Sequence, residues 1–300
     1  MKIAAVASLA AVLAAGAVST ANAQTVLNTD LANASGVSGD GVATTTTNAN
    51  GTTTTVVGSG GDPNRFYQSP VSATWQQQAV GGGGTVGITN TYSNDGNGAA
   101  FFSTTSADSK ADLDYYFSRP VALSSLTSLS FDFYRDSALS GPSDIFAPVM
   151  RLMIFNGSTP AGYLVSEYYY QKSNNPPEDT WVTLGSTLTN GEFWATSSVL
   201  GPTFATAGGV KNLQSWIDDN AGTLYVVGVN IGVGSGWAGT FTGAVDHVQY
   251  AFSGGPSADF DFAVAPGGVP EPAAWAMMLL GFLGVGSTLR ASRRRAMAAA

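Results

Sequence analysis

In LSFDFYR, residues 129–135, every second side chain is apolar: Leu129, Phe131 and Phe133 fall on one side, Ser130, Asp132 and Tyr134 on the other. That two-residue period is the mark of a strand with one buried face. A second run, YVVGVNIGV at 225–233, sets Tyr225, Val227, Val229, Ile231 and Val233 against Val226, Gly228, Asn230 and Gly232. Outward from these two, similar short runs occur at 86–92, 99–104, 114–117, 149–155, 162–170, 180–184 and 244–252, separated by Gly, Pro, Asn and Asp. Only 211–219, with Leu213, Trp216 and Ile217 at helical spacing, reads as a helix. The pattern predicts an all-β fold, an antiparallel jelly-roll β-sandwich with one short helix. No fixed-period repeat supports a β-solenoid, and the βαβ architectures drop out for want of long alternating helices.

The chain of 300 residues has no cysteine, which excludes a disulfide framework, a thiolate metal site and a cysteine nucleophile. Its charge is sorted along its length. Between Gln24 and Gly268 there are seven basic residues against nineteen acids, a net charge of −12, and the remaining bases cluster at the two ends. A body this acidic is a poor partner for nucleic acid or an anionic membrane surface, both of which reward clustered Lys and Arg. It suits a partner that is cationic or a neutral glycan.

Both ends carry signals that lie outside the body. Lys2, the apolar stretch 3–18 and Ala21-Asn22-Ala23 make an export signal with an A-x-A cleavage site, so the signal helix occupies 1–23 and the mature chain is expected to start at Gln24 after signal peptidase. Residues 24–65 form a Thr/Gly/Asn-rich segment, including ATTTTNANGTTTTVVGSGG, with few large apolar groups and an extended or edge-strand character. The sandwich is expected over 66–262, followed by a linker at 263–268 and a tail at 269–296. In that tail the seventeen residues 273–289 are all apolar or small, the minimum for a transmembrane helix, and Arg290, Arg293, Arg294 and Arg295 follow directly. The positive-inside rule keeps those arginines in the cytoplasm and the body outside the inner membrane. Gly281, Gly284 and Gly286 weaken the span, while Pro270-Glu271-Pro272 enforces an extended, accessible segment before it.

Few residues of the body carry recognisable chemistry. The glycines at 81–84 read as a turn, with no Gly-Lys-Ser/Thr after them to cradle phosphate. There is no G-x-S-x-G elbow and no H-E-x-x-H, and the sole histidine, His247, cannot build a multi-histidine zinc site. In GAVDHVQYAF, 243–252, strict alternation puts Asp246 on the core face with Ala244, Val248, Tyr250 and Phe252, and His247 on the other. That separation is unfavourable for a Ser-His-Asp triad. A coreward carboxylate needs a partner. Three are open to Asp246: a salt bridge to Arg135 or Arg151, hydrogen bonds from loop amides, or a structural Ca²⁺, the one cofactor the residues admit. Glu167, Glu178 and Glu192 are the carboxylates from which a glycan hydrolase would be built. Trp194 in GEFWATSS and Trp237 in GSGWAG sit where loops could present an indole to a sugar ring, and in the run 168–170, taken as strand, Tyr169 is a further stacking candidate. Trp181 and Trp216 suit packing instead. SNDGNG, 93–98, is a turn lacking the later acids of a calcium loop.

Taken together, Pro270-Glu271-Pro272, Trp275-Ala276-Met277-Met278, the glycine-bearing span and the arginine cluster resemble the PEP-CTERM sorting signal of Gram-negative bacteria. The resemblance covers about the last thirty residues and implies recognition by an exosortase, transient insertion in the inner membrane, processing near Pro-Glu-Pro and transfer to the cell surface or release. Proteins of that kind are associated with exopolysaccharide and biofilm. The closing TGAVDHVQYAF is similar to the Gly-x-Val-Asp-x-Val strand of carbohydrate-binding-like jelly rolls, with His247 where that pattern has Asn or Asp. The expected function is therefore a non-catalytic surface or matrix protein that binds exopolysaccharide or another glycan. The alternatives are a secreted glycan hydrolase and a purely structural adhesive component.

Overall fold

The computed structural model describes residues 23–28, 30–31, 44–47, 53–57, 75–138, 143–234 and 239–265. The export signal up to Asn22, Trp237 and the whole sorting tail, including Pro270, Glu271, Pro272, Trp275 and the four arginines, lie outside the described residues. No helix among the described residues is long and apolar enough to cross a membrane.

In chain order the strands are β1 (Ala23–Leu27), β2 (Thr44–Thr47), β3 (Thr53–Val57), β4 (Trp75–Gly81), β5 (Thr85–Thr89), β6 (Ala99–Thr104), β7 (Lys110–Ala122), β8 (Leu126–Arg135), β9 (Val149–Asn156), β10 (Thr159–Ser166), β11 (Trp181–Ser186), β12 (Phe193–Ala195), β13 (Val210–Lys211), β14 (Leu224–Val233), β15 (Phe241–Phe252) and β16 (Ser257–Ala263). Two short helices interrupt them, α1 (Tyr168–Lys172) and α2 (Leu213–Asp219). The strands form a two-sheet sandwich. One sheet has nine strands in the order β1-β16-β15-β6-β5-β3-β2, with β8 pairing β15 and β11 pairing β8; the other has seven, β13-β12-β10-β9-β14-β7-β4. All described pairs are antiparallel except β1 with β16, so Gln24, the expected first residue of the mature chain, lies in an exposed edge strand. The glycine turn carries the chain from β4 in one sheet to β5 in the other, with Gly82 and Gly83 at positive φ. At Gly84 a Cβ would fall 1.9 Å from the Lys110 carbonyl oxygen, so no other residue fits without moving the backbone.

The core lies between the sheets. Phe131 and Phe133 of β8, Phe102 of β6, Val245 and Val248 of β15 and Phe260 and Phe262 of β16 meet Leu113, Leu152, Ile154, Val229 and Ile231 of the other sheet, all essentially inaccessible to solvent. Trp75 closes one end, its ring centroid 5.3 Å from those of both Phe260 and Phe262. Helix α2 buries Leu213, Trp216 and Ile217 as its spacing predicts; the Asn212 side chain caps its N-terminus by accepting from the Ser215 amide, and Trp216 Nε1 donates to the Phe193 carbonyl.

Three readings of the sequence are corrected. The predicted strand at 162–170 stops at Ser166, and the tyrosines wind into α1, ended by Ser173 in the left-handed conformation; Tyr168 turns inward against Phe133. Trp194, placed in a loop, belongs to the short strand β12. The third correction concerns parity. In β14 the pairing slips between Val226 and Gly228, so Val226 faces the core and Tyr225 is exposed, the reverse of uniform alternation. In β15 the slip lies between Asp246 and Gln249, where His247 adopts φ +47°. Asp246 faces Asp132 and Gln249 faces Ser130 across the β8 pair. Cross-strand partners share a face, so Asp246 is on the outer face with Asp132, and the bulge at His247 then returns Val248, Tyr250 and Phe252 to the core.

Deleting His247 removes the bulge and turns either Ala244 and Asp246 or Val248, Tyr250 and Phe252 to the wrong side. That deletion is expected to abolish cooperative thermal unfolding by circular dichroism. His247→Gly, which tolerates positive φ, is expected to unfold cooperatively within about 4 °C of the parent.

Candidate functional site

The outer face of the nine-stranded sheet is built in rungs. Gly87, Phe101, Ala244, Tyr134 and Trp181 form one across β5, β6, β15, β8 and β11, and Asp246, Asp132 and Thr183 form the next. Past the bulge, Asp259, Gln249, Ser130 and Gly185 form a third. An aromatic row thus runs beside two polar rows. Tyr92 extends it, with ring centroids 5.2 Å apart for Tyr92 and Tyr134 and 5.7 Å for Tyr134 and Trp181. A cavity of about 410 Å³ lies over the polar rows, lined by Asn94, Asp95, Ser130, Asp132, Thr183, His247 and Gln249. A second, of about 220 Å³, lies on the same face over Thr89, Tyr92, Phe101, Ser103 and Thr242.

The loop 93–98, expected to be a simple turn, is strapped across this face. Trp181 Nε1 donates to the Ser93 carbonyl at 3.1 Å, Asn94 Nδ2 to Asp132 at 2.5 Å, and Asp95 meets His247 Nε2 at 2.7 Å. Asn97 exchanges two hydrogen bonds with the backbone of Val264. Gly96 passes so close to β16 that a Cβ there would sit 3.1 Å from Asp261 Oδ1. Beneath the strap, Asp246 is wholly buried. Its Oδ1 accepts from the amides of His247, at 3.0 Å, and Phe262, at 2.9 Å. Backbone amides take one oxygen of Asp246, but they belong to the strands β15 and β16 and not, as expected, to a loop. Neither arginine takes one: Arg135 is on the inner face and pairs with Glu178 at 3.2 Å, and Arg151 is on the other sheet, bound to Asp112 at 2.6 Å.

Nor are Asp246 and His247 held apart. The bulge brings one ligand atom each of Asp95, Asp246 and His247 within 4.8 Å of one another. Burial raises the pKa of Asp246 against the two amide hydrogen bonds, and burial likewise raises that of Asp261. For His247 burial acts downward, but the Asp95 hydrogen bond and the charge of Asp246 outweigh it and leave the imidazole above its usual range. The ring's Nε2 is taken by Asp95, and the groove hydroxyl, Ser130, donates to Gln249 at 3.2 Å instead of to the ring.

Two of the sequence candidates for stacking, Trp194 and Tyr169, lie elsewhere, and Trp237 is outside the described residues. Trp194 is on the outer face of the seven-stranded sheet, half-buried, donating from Nε1 to Glu167 Oε2 at 3.0 Å, with its ring 5.2 Å from the half-exposed Phe204. Tyr169, on α1, packs edge-on against Tyr170 at 5.5 Å. The same outer face carries a buried polar row in which Tyr116 and Asn230 donate to Asp114 at 2.8 and 2.5 Å, while Arg151 donates to Asn230 and Asp112. Asp95, Asp132 and Gln249 were missed as site residues; the Asn-Asp-Gly spacing of 94–96 was the one signal pointing to the first. Of the three glutamates considered for hydrolysis, Glu167 is held by Trp194 and Glu178 by Arg135.

Burial pushes Glu167 up to about 7 against the Trp194 hydrogen bond and the Arg151 charge, and Asp114 up to about 7 against its bond from Asn230. Each folded-state carboxyl thus holds its proton at a pH where the unfolded chain has released it. Stability from these groups is full below the unfolded pKa and is lost as pH rises through the folded one. Urea midpoints are expected to fall between pH 4.5 and 7.5, and Glu167→Gln to flatten that fall by up to about 3 kcal/mol.

No family model matches the chain, and none of the curated proteins does. Among solved structures it is similar to the family 11 carbohydrate-binding module of a cellulosomal cellulase of Clostridium thermocellum, with 13% identity and a TM-score of 0.35 over 62% of this chain and 91% of that one. It is also similar to the Clostridium thermocellum family 11 module in complex with a β-1,3-1,4-mixed-linked tetrasaccharide, at 13% identity and a TM-score of 0.34 over 58% and 87%. A third likeness, at 12% identity and 0.33 over 70% and 75%, is to a structure describing promiscuous specificity in carbohydrate-binding modules of the β-sandwich superfamily. Likenesses this distant carry no weight for the ligand or the site of the present chain.

Proposed function

We propose that the chain is an exported, non-catalytic surface protein whose sandwich, of the jelly-roll kind, binds a neutral glycan in the groove on the outer face of the nine-stranded sheet. The observation that carries this reading is the aromatic row Tyr92, Tyr134 and Trp181 set one rung from Asp132 and Thr183 and two rungs from Ser130 and Gln249. A pyranose ring has an apolar face that lies on an aromatic ring and equatorial hydroxyls that seek planar acceptors and amides, and the aromatic and polar rungs side by side supply both. The acidic body supports a neutral ligand over a polyanion. Delivery follows from the two ends: signal peptidase removes 1–23, and an exosortase-type transpeptidase acts near Pro270-Glu271-Pro272 while the apolar span holds the chain in the inner membrane.

Polysaccharide pull-down and calorimetry with the full chain test the binding. Trp181→Ala and Gln249→Ala are each expected to weaken retention on the bound polymer by roughly tenfold, a difference of about 1.4 kcal/mol, whereas Trp194→Ala leaves it unchanged. A folded protein that no neutral polysaccharide retains, or one in which Trp194→Ala alone abolishes retention, overturns the groove assignment. For the tail, mass spectrometry of the extracellular form is expected to show a C-terminus close to Pro270; an intact end at Ala300 contradicts sorting.

A further inference from the structure

We infer that the carboxylate cluster beneath the strap 93–98 is a divalent-cation site, with Asp246, Asp261 and Asp95 as its carboxylate ligands and Ca²⁺ as its ion. Two independent observations meet there. The first is the convergence of ligand atoms: Asp95, Asp246 and His247 each place one within a 4.8 Å set, and Asp261 and Asp259 project to the same face from β16. The second is unfinished bonding. Asp246 is wholly buried, yet only its Oδ1 has hydrogen-bond partners; Oδ2 has none among the described residues. The buried Oδ1 atoms of Asp259 and Asp261 have none either, although His247 Nδ1 lies 3.9 Å from that of Asp259. Three enclosed carboxylate oxygens without a hydrogen-bond donor, on side chains near enough to repel one another, face a single imidazole, His247, among the described residues.

The neighbours confirm how little countercharge is present. Asp132 is occupied by Asn94 and Thr183, both neutral, and no Lys or Arg lines the cavity above. One imidazole, committed through Nε2 to Asp95, faces Asp95, Asp246, Asp259 and Asp261. A divalent ion balances that set where a single histidine cannot. The donors are carboxylate oxygens with one nitrogen, which favours a hard ion of flexible coordination over zinc, whose sites lean on nitrogen and sulfur. Mg²⁺ demands near-octahedral geometry and gives up water reluctantly, so it fits a buried carboxylate less well. The strap bears on the ion as well as on the groove. Asp95 belongs to the loop whose Asn94 lines the cavity, so an ion beneath it fixes one wall of that cavity. The cation assignment itself does not depend on glycan binding.

The full chain, freed of metal with EDTA, is titrated with CaCl₂ in the absence of any glycan, by calorimetry and by thermal melting. Saturable binding of about one ion per chain with a melting temperature raised by several degrees is expected, since a ligand that binds only the folded state stabilises it. Asp261→Asn and Asp95→Asn are expected to weaken Ca²⁺ binding by about tenfold or more. Asp246→Asn should do the same where it folds; because it also touches the bulge, the other two variants carry the test if it does not. Identical melting in EDTA and in Ca²⁺, or Ca²⁺ binding unchanged in both Asp261→Asn and Asp95→Asn, overturns the site. Preferential binding of Zn²⁺ that His247→Gln abolishes overturns the choice of ion.

Discussion

Asp246 sits where β6 and β16 succeed each other along one edge of β15 while β8 holds the other. At such a seam the ladder is interrupted, and backbone amides that would have bonded to a neighbouring strand need another acceptor. Asp246 Oδ1 accepts two of them, from His247 in the bulge and Phe262 in β16. That one oxygen ties β15 to β16 at the junction. It also sustains the positive φ of His247, which sets the parity of everything after it: Val248, Tyr250 and Phe252 reach the core only because one residue is spent in the bulge.

The same device concentrates charge. Gln249, Asp246 and His247 all face outward around the bulge, and antiparallel pairing brings Asp259 and Asp261 alongside. The outer face of the other sheet is a useful contrast. There Asp112, Asp114, Asn230, Tyr116 and Arg151 form a closed chain of hydrogen bonds with an arginine inside it. A polar row whose members satisfy one another has little left for a ligand. On the nine-stranded sheet the acids outnumber their donors, and aromatic rings border them. The proposed glycan groove and cation site both lie on the face with unfinished bonding.

How far the sequence could be read depended on whether alternation was unbroken. In β8 it was: Phe131 and Phe133 point inward and Ser130, Asp132 and Tyr134 outward, as the spacing dictates. The helix at Leu213–Asp219 was equally legible, since Leu213, Trp216 and Ile217 share a face at 3.6-residue spacing. Alternation failed in β14 and β15, each of which carries a bulge, because one extra residue inverts the assignment of every side chain on one side of it. It failed again at Tyr168-Tyr169-Tyr170, aromatic residues with strand propensity that turn into a helix where β10 leaves its sheet.

By itself the sequence determined that the body is built of strands and that it is acidic and free of cysteine, because composition and local periodicity are properties of neighbouring residues. Only the tertiary structure decided that Asp95 and Asp246, far apart along the chain, each bring a ligand atom within 4.8 Å of one on His247. That depends on strand pairing and on a single residue at φ +47°, neither of which a local pattern encodes. Uniform alternation along GAVDHVQYAF put Asp246 on the wrong face, because one of the hydrogen bonds at its bulge comes from Phe262 of β16 and its cover from a loop before β6.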